Sequence, residues 1–261
     1  MVLLLLVAVV GTAGYALHGS SPAKAGSADA APSTAPPAGS SAAAAVPPSQ
    51  PPSSSAAPAS TGMPSTYPSS GDGTYSYASG STARFGTGTL QRYRVAVENG
   101  IGVNTAVFAR QVDAVLDNTE QGWSAKGQWS FQRVDSGPVA FTIYLVSPVT
   151  AYHFCEKLIG ADIREAAPGG VNCSNNGNTV VENVARWIDL SQYYKGLPDL
   201  YHALAINHEV GHSLHHGHVS CPGPGQPAPP MMQQIKGLQG CVPNGWPFSP
   251  SGKYITGPPA P

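Results

Sequence analysis

The composition of the chain changes sharply near residue 85, and this limits where a folded domain can form. From His18 to about Gly80 the sequence is built mainly of Ala, Ser, Pro and Gly. Charge occurs there only at Lys24, Asp29 and Asp72, and large aliphatic side chains are nearly absent. Such a segment cannot bury enough apolar surface to offset the entropy lost on ordering it. The expectation is a disordered linker over residues 19–85, extended and semi-stiff where prolines pair at Pro47-Pro48 and Pro51-Pro52. Residues 86–261 remain for a single domain, long enough to enclose its own core.

Ahead of the linker, Val2 to Leu17 form an almost unbroken apolar run. It has the length of a signal-peptide core and falls short of the roughly 20 residues of a membrane span. No Lys or Arg precedes it, and Ala23-Lys24-Ala25 offers a small-residue cleavage site. Residues 1–18 are therefore expected to act as a signal peptide or membrane anchor. The protein would be exported, either secreted or held at the cell envelope. In an exported chain an even cysteine count reads as disulfides. Cys155, Cys173, Cys221 and Cys241 allow three connectivities. Pairing in order, Cys155–Cys173 and Cys221–Cys241, closes two short loops and is the expected one. A cysteine zinc site would want Cys-x-x-Cys, which does not occur. The net charge of −1 and the lack of a basic stripe exclude nucleic acid as an expected partner. A monomer is expected.

Within the domain the hydrophobic period alternates between two and 3.6. Leu90 to Glu98 reads as a strand, with Tyr93, Val95 and Val97 on one side and Arg92 and Arg94 on the other. Asn104 can cap a helix over 105–116. Trp129–Val134 and Val139–Val146 read as strands, and Ser147-Pro148 opens a helix running to about Ile159. Asn178 to Trp187 reads as another strand. A helix that opens at Asp199 follows.

That last helix carries His-Glu-Val-Gly-His at 208–212. Two histidines four apart lie on one helical face and can share a metal ion. Glu209, one residue further round, can reach a water at the metal rather than the metal itself. His218 and His215 are the two candidates for a third ligand. His215 shares the helical face of His208 and His212, whereas His218 lies six residues after His212, beyond Gly217. His216 reads as an exposed residue at the helix end, and His202 as a surface or packing residue. Leu200, Ala203, Leu204, Asn207, Gly211 and Leu214 form a packing side.

The motif resembles that of the metzincin zinc peptidases, in which a third histidine follows the second by six residues. More closely, the region from Leu90 onward looks like an actinobacterial family of secreted metzincin-like domains of unknown function. The residues that carry the likeness are Asn207 to His212, Gly217 to Pro224 and Ala228 to Gln234. The resemblance implies an α+β, metzincin-like zincin domain with a small mixed sheet packed on two or three helices, one of them the zinc-binding helix. It implies one Zn²⁺ on His208, His212 and His218, and places Met231 or Met232 in a Met-turn beneath the metal. It also implies a peptidase acting on protein or peptide, with Glu209 as the general base. The pattern has glycine three residues after the second histidine, where this chain has His215. That departure keeps alive a zinc-binding surface module without turnover. The exported location keeps alive a hydrolase of cell-wall peptide. Residues 178–185 are the expected edge strand for substrate, and metal loss is expected below about pH 6 as imidazoles protonate.

Overall fold

The computed structural model describes residues 62–160, 170–175 and 177–261. The apolar run at 1–18 and the linker expectation for 19–61 lie outside the described residues. Among the described residues no helix is long and apolar enough to cross a membrane.

Among the described residues the domain is α+β, with a seven-stranded mixed sheet and four α-helices. The strands are β1 (Tyr75–Tyr77), β2 (Phe85–Gly86), β3 (Thr89–Glu98), β4 (Trp129–Arg133), β5 (Phe141–Val146), β6 (Cys173–Ser174) and β7 (Thr179–Asn183). The helices are α1 (Thr105–Leu116), α2 (Pro148–Ile159), α3 (Val184–Asp189) and α4 (Pro198–Ser213). The sheet runs β2-β4-β3-β5-β7-β6, with β1 pairing β3 off this path. β4, β3, β5 and β7 are mutually parallel, and β1, β2 and β6 are antiparallel to their neighbours.

Successive strand residues face opposite sides of a sheet, and the core divides accordingly. Tyr93, Val95, Val97, Phe141, Ile143, Leu145 and Val180 join Phe108 and Val112 of α1 and Ala203, Ile206 and Val210 of α4 in the main core. The alternate residues Val146 and Val181 pack with Ala151 and Cys155 of α2 in a smaller cluster. Each large side chain so buried contributes about 1.5–3 kcal/mol. Helix starts follow local chemistry. The Asn104 side chain accepts from the amides of Ala106 and Val107, and Ser147 caps α2 ahead of Pro148. Both sequential disulfides form: Cys155–Cys173 ties α2 to β6, and Cys221–Cys241 closes a loop after His218.

Three expectations need correction. Residues 62–85, read as linker, belong to the domain. They supply β1 and β2, and Met63 and Tyr67 pack on the main core. Backbone pairing and a few scattered large side chains hold them, and neither registers as aliphatic content. The strand expected over 178–187 ends at Asn183, whose side chain accepts from the amide of Ala185 and starts α3. β7 is also not an edge, because it lies between β5 and the short β6, which forms the edge instead. Lastly, the sheet is flanked by four helices rather than two or three.

Candidate metal centre

α4 begins at Pro198 with Asp199 in its first turn, where a negative charge suits the helix dipole. Its packing side is buried at Ala203, Leu204, Asn207 and Gly211. At Gly211 a Cβ would stand 2.3 Å from the sulfur of Met231 and 3.0 Å from the Trp123 ring. Only glycine admits both neighbours there.

The helix ends in a Schellman turn. The amide of His216 donates to Gly211 O at 2.9 Å, and that of His215 donates to His212 O at 2.9 Å. His215 sits at the left-handed position of this motif, with φ of 67°, where glycine is the usual residue. The turn reverses the chain so that His218 comes back over the helix face. His208, His212 and His218 then offer ring nitrogens that all lie within 4.8 Å of one another. His215 is not part of this group; it is exposed and lines a separate shallow depression with Ser213 and Asn178.

Backbone carbonyls orient two of the rings. Nδ1 of His208 lies 2.7 Å from Pro230 O, and Nδ1 of His212 lies 2.9 Å from His216 O. A carbonyl only accepts, so both Nδ1 atoms carry the proton and both Nε2 atoms present lone pairs. Nε2 of His212 faces Nε2 of His218 at 3.1 Å. Nitrogens held at roughly 2.0–2.1 Å around a tetrahedral zinc stand about 3.3 Å apart. The donor set, its orientation and its spacing therefore fit one zinc ion. Burial favours the neutral, ligating form. It pushes the pKa of His208 down to about 3 and that of His218 to about 4, and it also lowers that of His212.

Glu209 is 6% exposed. Burial raises its carboxyl to about 8, opposed by the nearby Ser174 hydroxyl. The Ser174 hydroxyl donates to the backbone Glu209 O at 3.0 Å, which joins the edge strand to the helix. A second carboxyl, Glu182 on β7, is fully buried and accepts from the side chain of Asn172. Burial, then the nearby charge of Glu209, raise its pKa well above the ordinary carboxylate range.

The three histidines and Glu209 open on a cavity of about 300 Å³. One wall is the edge segment Val171–Ser174, and the floor includes Tyr201, Leu204 and Ala205 of α4. Met232 and Ile235 close the far side. The methionines thus divide: Met232 lines the cavity with the triad, and Met231 packs against Gly211. A turn joins them to the site, because the amide of Met232 donates to Pro229 O at 3.0 Å within the segment whose Pro230 carbonyl holds His208.

Two histidines differ from their sequence reading or make it specific. His216 is not a bystander exposed at the helix end. It stacks on Trp123 at 4.4 Å between ring centres, and its carbonyl orients His212. His202 is buried, stacked on Trp187 at 3.9 Å and bonded to Trp187 O, which makes it a packing residue. Ser174, Asn172, Glu182 and the two orienting carbonyls were not found from sequence. No local motif marks them, since tertiary pairing alone brings them to α4.

Neither the curated proteins nor the solved structures compared with this sequence contain a match. A family model described as a protein of unknown function (DUF3152) matches residues 61–248, which include the whole cluster of His208, Glu209, His212 and His218. The chain belongs to the DUF3152 family.

Proposed function

We propose that this protein is a zinc-dependent peptidase with a metzincin-like zincin fold. The observation that carries the reading is the convergence of three neutral imidazoles, two with their tautomers fixed by carbonyls, beside a buried carboxyl at the head of a cavity. Support for the fold comes from the helix, the turn at His215, the return of His218 and the methionine pair, of which Met232 lines the cavity and Met231 packs on Gly211.

A zinc ion in this position supplies a Lewis acid for a peptide carbonyl and lowers the pKa of water there towards about 7. Glu209 takes up the proton released by that water and hands it to the leaving amine. A carboxyl whose pKa lies near neutrality suits both halves of this exchange, and the cation's charge would bring its pKa below the metal-free value of about 8. The edge segment Val171–Ser174 presents backbone groups along the cavity, where an extended peptide can add as a strand. The apolar walls exclude water from the reacting bond. The two disulfides fit an exported chain.

The test is hydrolysis of casein, of a peptide library and of purified cell wall by zinc-loaded protein, with Glu209→Gln as control. Peptide cleavage lost in Glu209→Gln is the expected result. Cleavage that survives the substitution overturns the assignment of Glu209. One equivalent of zinc with nothing cleaved would leave a zinc-binding module, and cleavage confined to the wall would leave a wall hydrolase.

A further inference from the structure

Among the described residues, two charged side chains other than histidine line the cavity: the buried Glu209 and Lys236. Lys236 ends a short 3₁₀ turn, Gln234–Lys236, that follows the methionine pair. The turn is anchored from within. The side-chain amide of Gln234 donates to Pro229 O at 3.0 Å and to Asn244 O at 2.7 Å, and its oxygen accepts from the Tyr194 hydroxyl. The base of Lys236 is therefore fixed against the same segment that orients His208, while its ammonium stays exposed. That ammonium donates to the Gln233 side chain at 3.1 Å and forms no ion pair among the described residues. It lines the same cavity as His208 and His218, and its charge lowers the pKa of both.

An apolar cavity that meets an unpaired cation beside a dication site has a defined electrostatic preference. Among the described residues the one carboxyl lining the cavity is that of the buried Glu209, and a bound cation adds to the positive potential. A ligand that brings its own carboxylate close to its apolar side chain complements both. We propose that Lys236 selects peptides in which a carboxylate lies next to the apolar residue filling the cavity. This rests on the peptidase reading and names its substrate class. The carboxylate can come from a Glu or Asp side chain or from a free chain terminus, since the ammonium meets the same group in each.

The test uses full-length, zinc-loaded protein carrying Glu209→Gln, so that peptides bind without being cut. Fluorescein-labelled alanine peptides with one leucine serve as probes, read by anisotropy. One set carries glutamate on either side of a central leucine and a C-terminal amide. A second has glutamine before a final leucine that ends in a free acid. A third is neutral throughout, with glutamine on either side of a central leucine and a C-terminal amide. At least one acidic set should bind about three- to tenfold more tightly than the neutral set, and the stronger set identifies the source of the carboxylate. The preference should vanish in Lys236→Met, reverse in Lys236→Glu, and shrink between about 0.05 and 0.5 M salt. Lys236 is exposed, so neither substitution disturbs the core. Equal binding of all three sets, binding of none, or a preference that survives Lys236→Met overturns the proposal; the last result would assign the preference to the metal. The hydrolysis assay fails independently. Cleavage of neutral and acidic peptides at equal rates would keep the peptidase and remove this role for Lys236. A Lys236-dependent binding preference without hydrolysis would keep the carboxylate site and remove turnover.

Discussion

His212 directs Nδ1 at the carbonyl oxygen of His216, 2.9 Å away and one helical turn further on, and the His216 ring is stacked on Trp123. A residue outside the histidine triad thus sets the tautomer of one within it. Replacing His216 by alanine keeps the carbonyl but removes the stack that holds it. Zinc affinity should fall about tenfold, read by competition with a chromogenic chelator, with the stoichiometry still at one. Unchanged affinity would mean that the carbonyl is held without the ring.

His215 occupies a left-handed backbone conformation, which costs a side-chain-bearing residue about 1–2 kcal/mol. Glycine removes that strain but adds entropy to the unfolded chain. His215→Gly should stabilise the protein by roughly 0.5–1 kcal/mol, raising the melting temperature by a few degrees. Zinc should stay at one equivalent, because His215 stands apart from the triad. Loss of zinc in this variant would restore His215 as a ligand.

Glu182 predicts a pH-dependent effect. Its folded pKa is raised well above 4.5 by burial, so the native state keeps a proton that the unfolded state releases as pH rises. Stability is unaffected below about pH 4.5 and declines above it, by on the order of 1 kcal/mol per pH unit, until the folded pKa is reached. Glu182→Gln, which cannot ionise, should match wild type near pH 4.5 and melt at a higher temperature at pH 7.5. Parallel melting curves for the two proteins across that range would show that Glu182 is ionised in the fold.

Metal retention should extend to lower pH than histidine content alone suggests. Free imidazole near pH 6.5 would give loss below about pH 6. Burial lowers His208 to about 3 and His218 to about 4, so the rings remain neutral further into acid. Dialysis followed by metal analysis should find one equivalent of zinc at about pH 5.5 and little at about pH 3.5. Release centred near pH 6 would show that the rings are hydrated.

Sequence revealed those parts of the fold whose signals are local. Asn104 and Ser147-Pro148 mark the starts of α1 and α2 because a cap acts within three residues. The spacing of His208, Glu209 and His212 is likewise internal to one helix. β1, β2 and β6 stayed hidden because strands of two or three residues have no measurable period and are defined only by the strands they pair with. Glu182 and Lys236 come near Glu209 and the triad only through the sheet order and the turn after Met232, and no spacing encodes either.

The segment that bears His218 is itself held from further along the chain. The amide of Ala260 donates to His218 O at 3.1 Å, that of Ser220 donates to Pro258 O at 2.8 Å, and Val219 bridges Pro259. At Gly257 a Cβ would stand 1.9 Å from Ser220 O, so Gly257→Ala should lift this strap and weaken zinc binding by about tenfold or more, measured as for His216→Ala. The third imidazole is thus secured by residues synthesised some forty positions after it. A nascent chain emerging stepwise from a ribosome or translocon can form α4 and present two histidines well before residue 260 arrives. Until then only two of the three imidazoles are in place, so on the proposed reading full-strength zinc binding waits for the strap at 257–260.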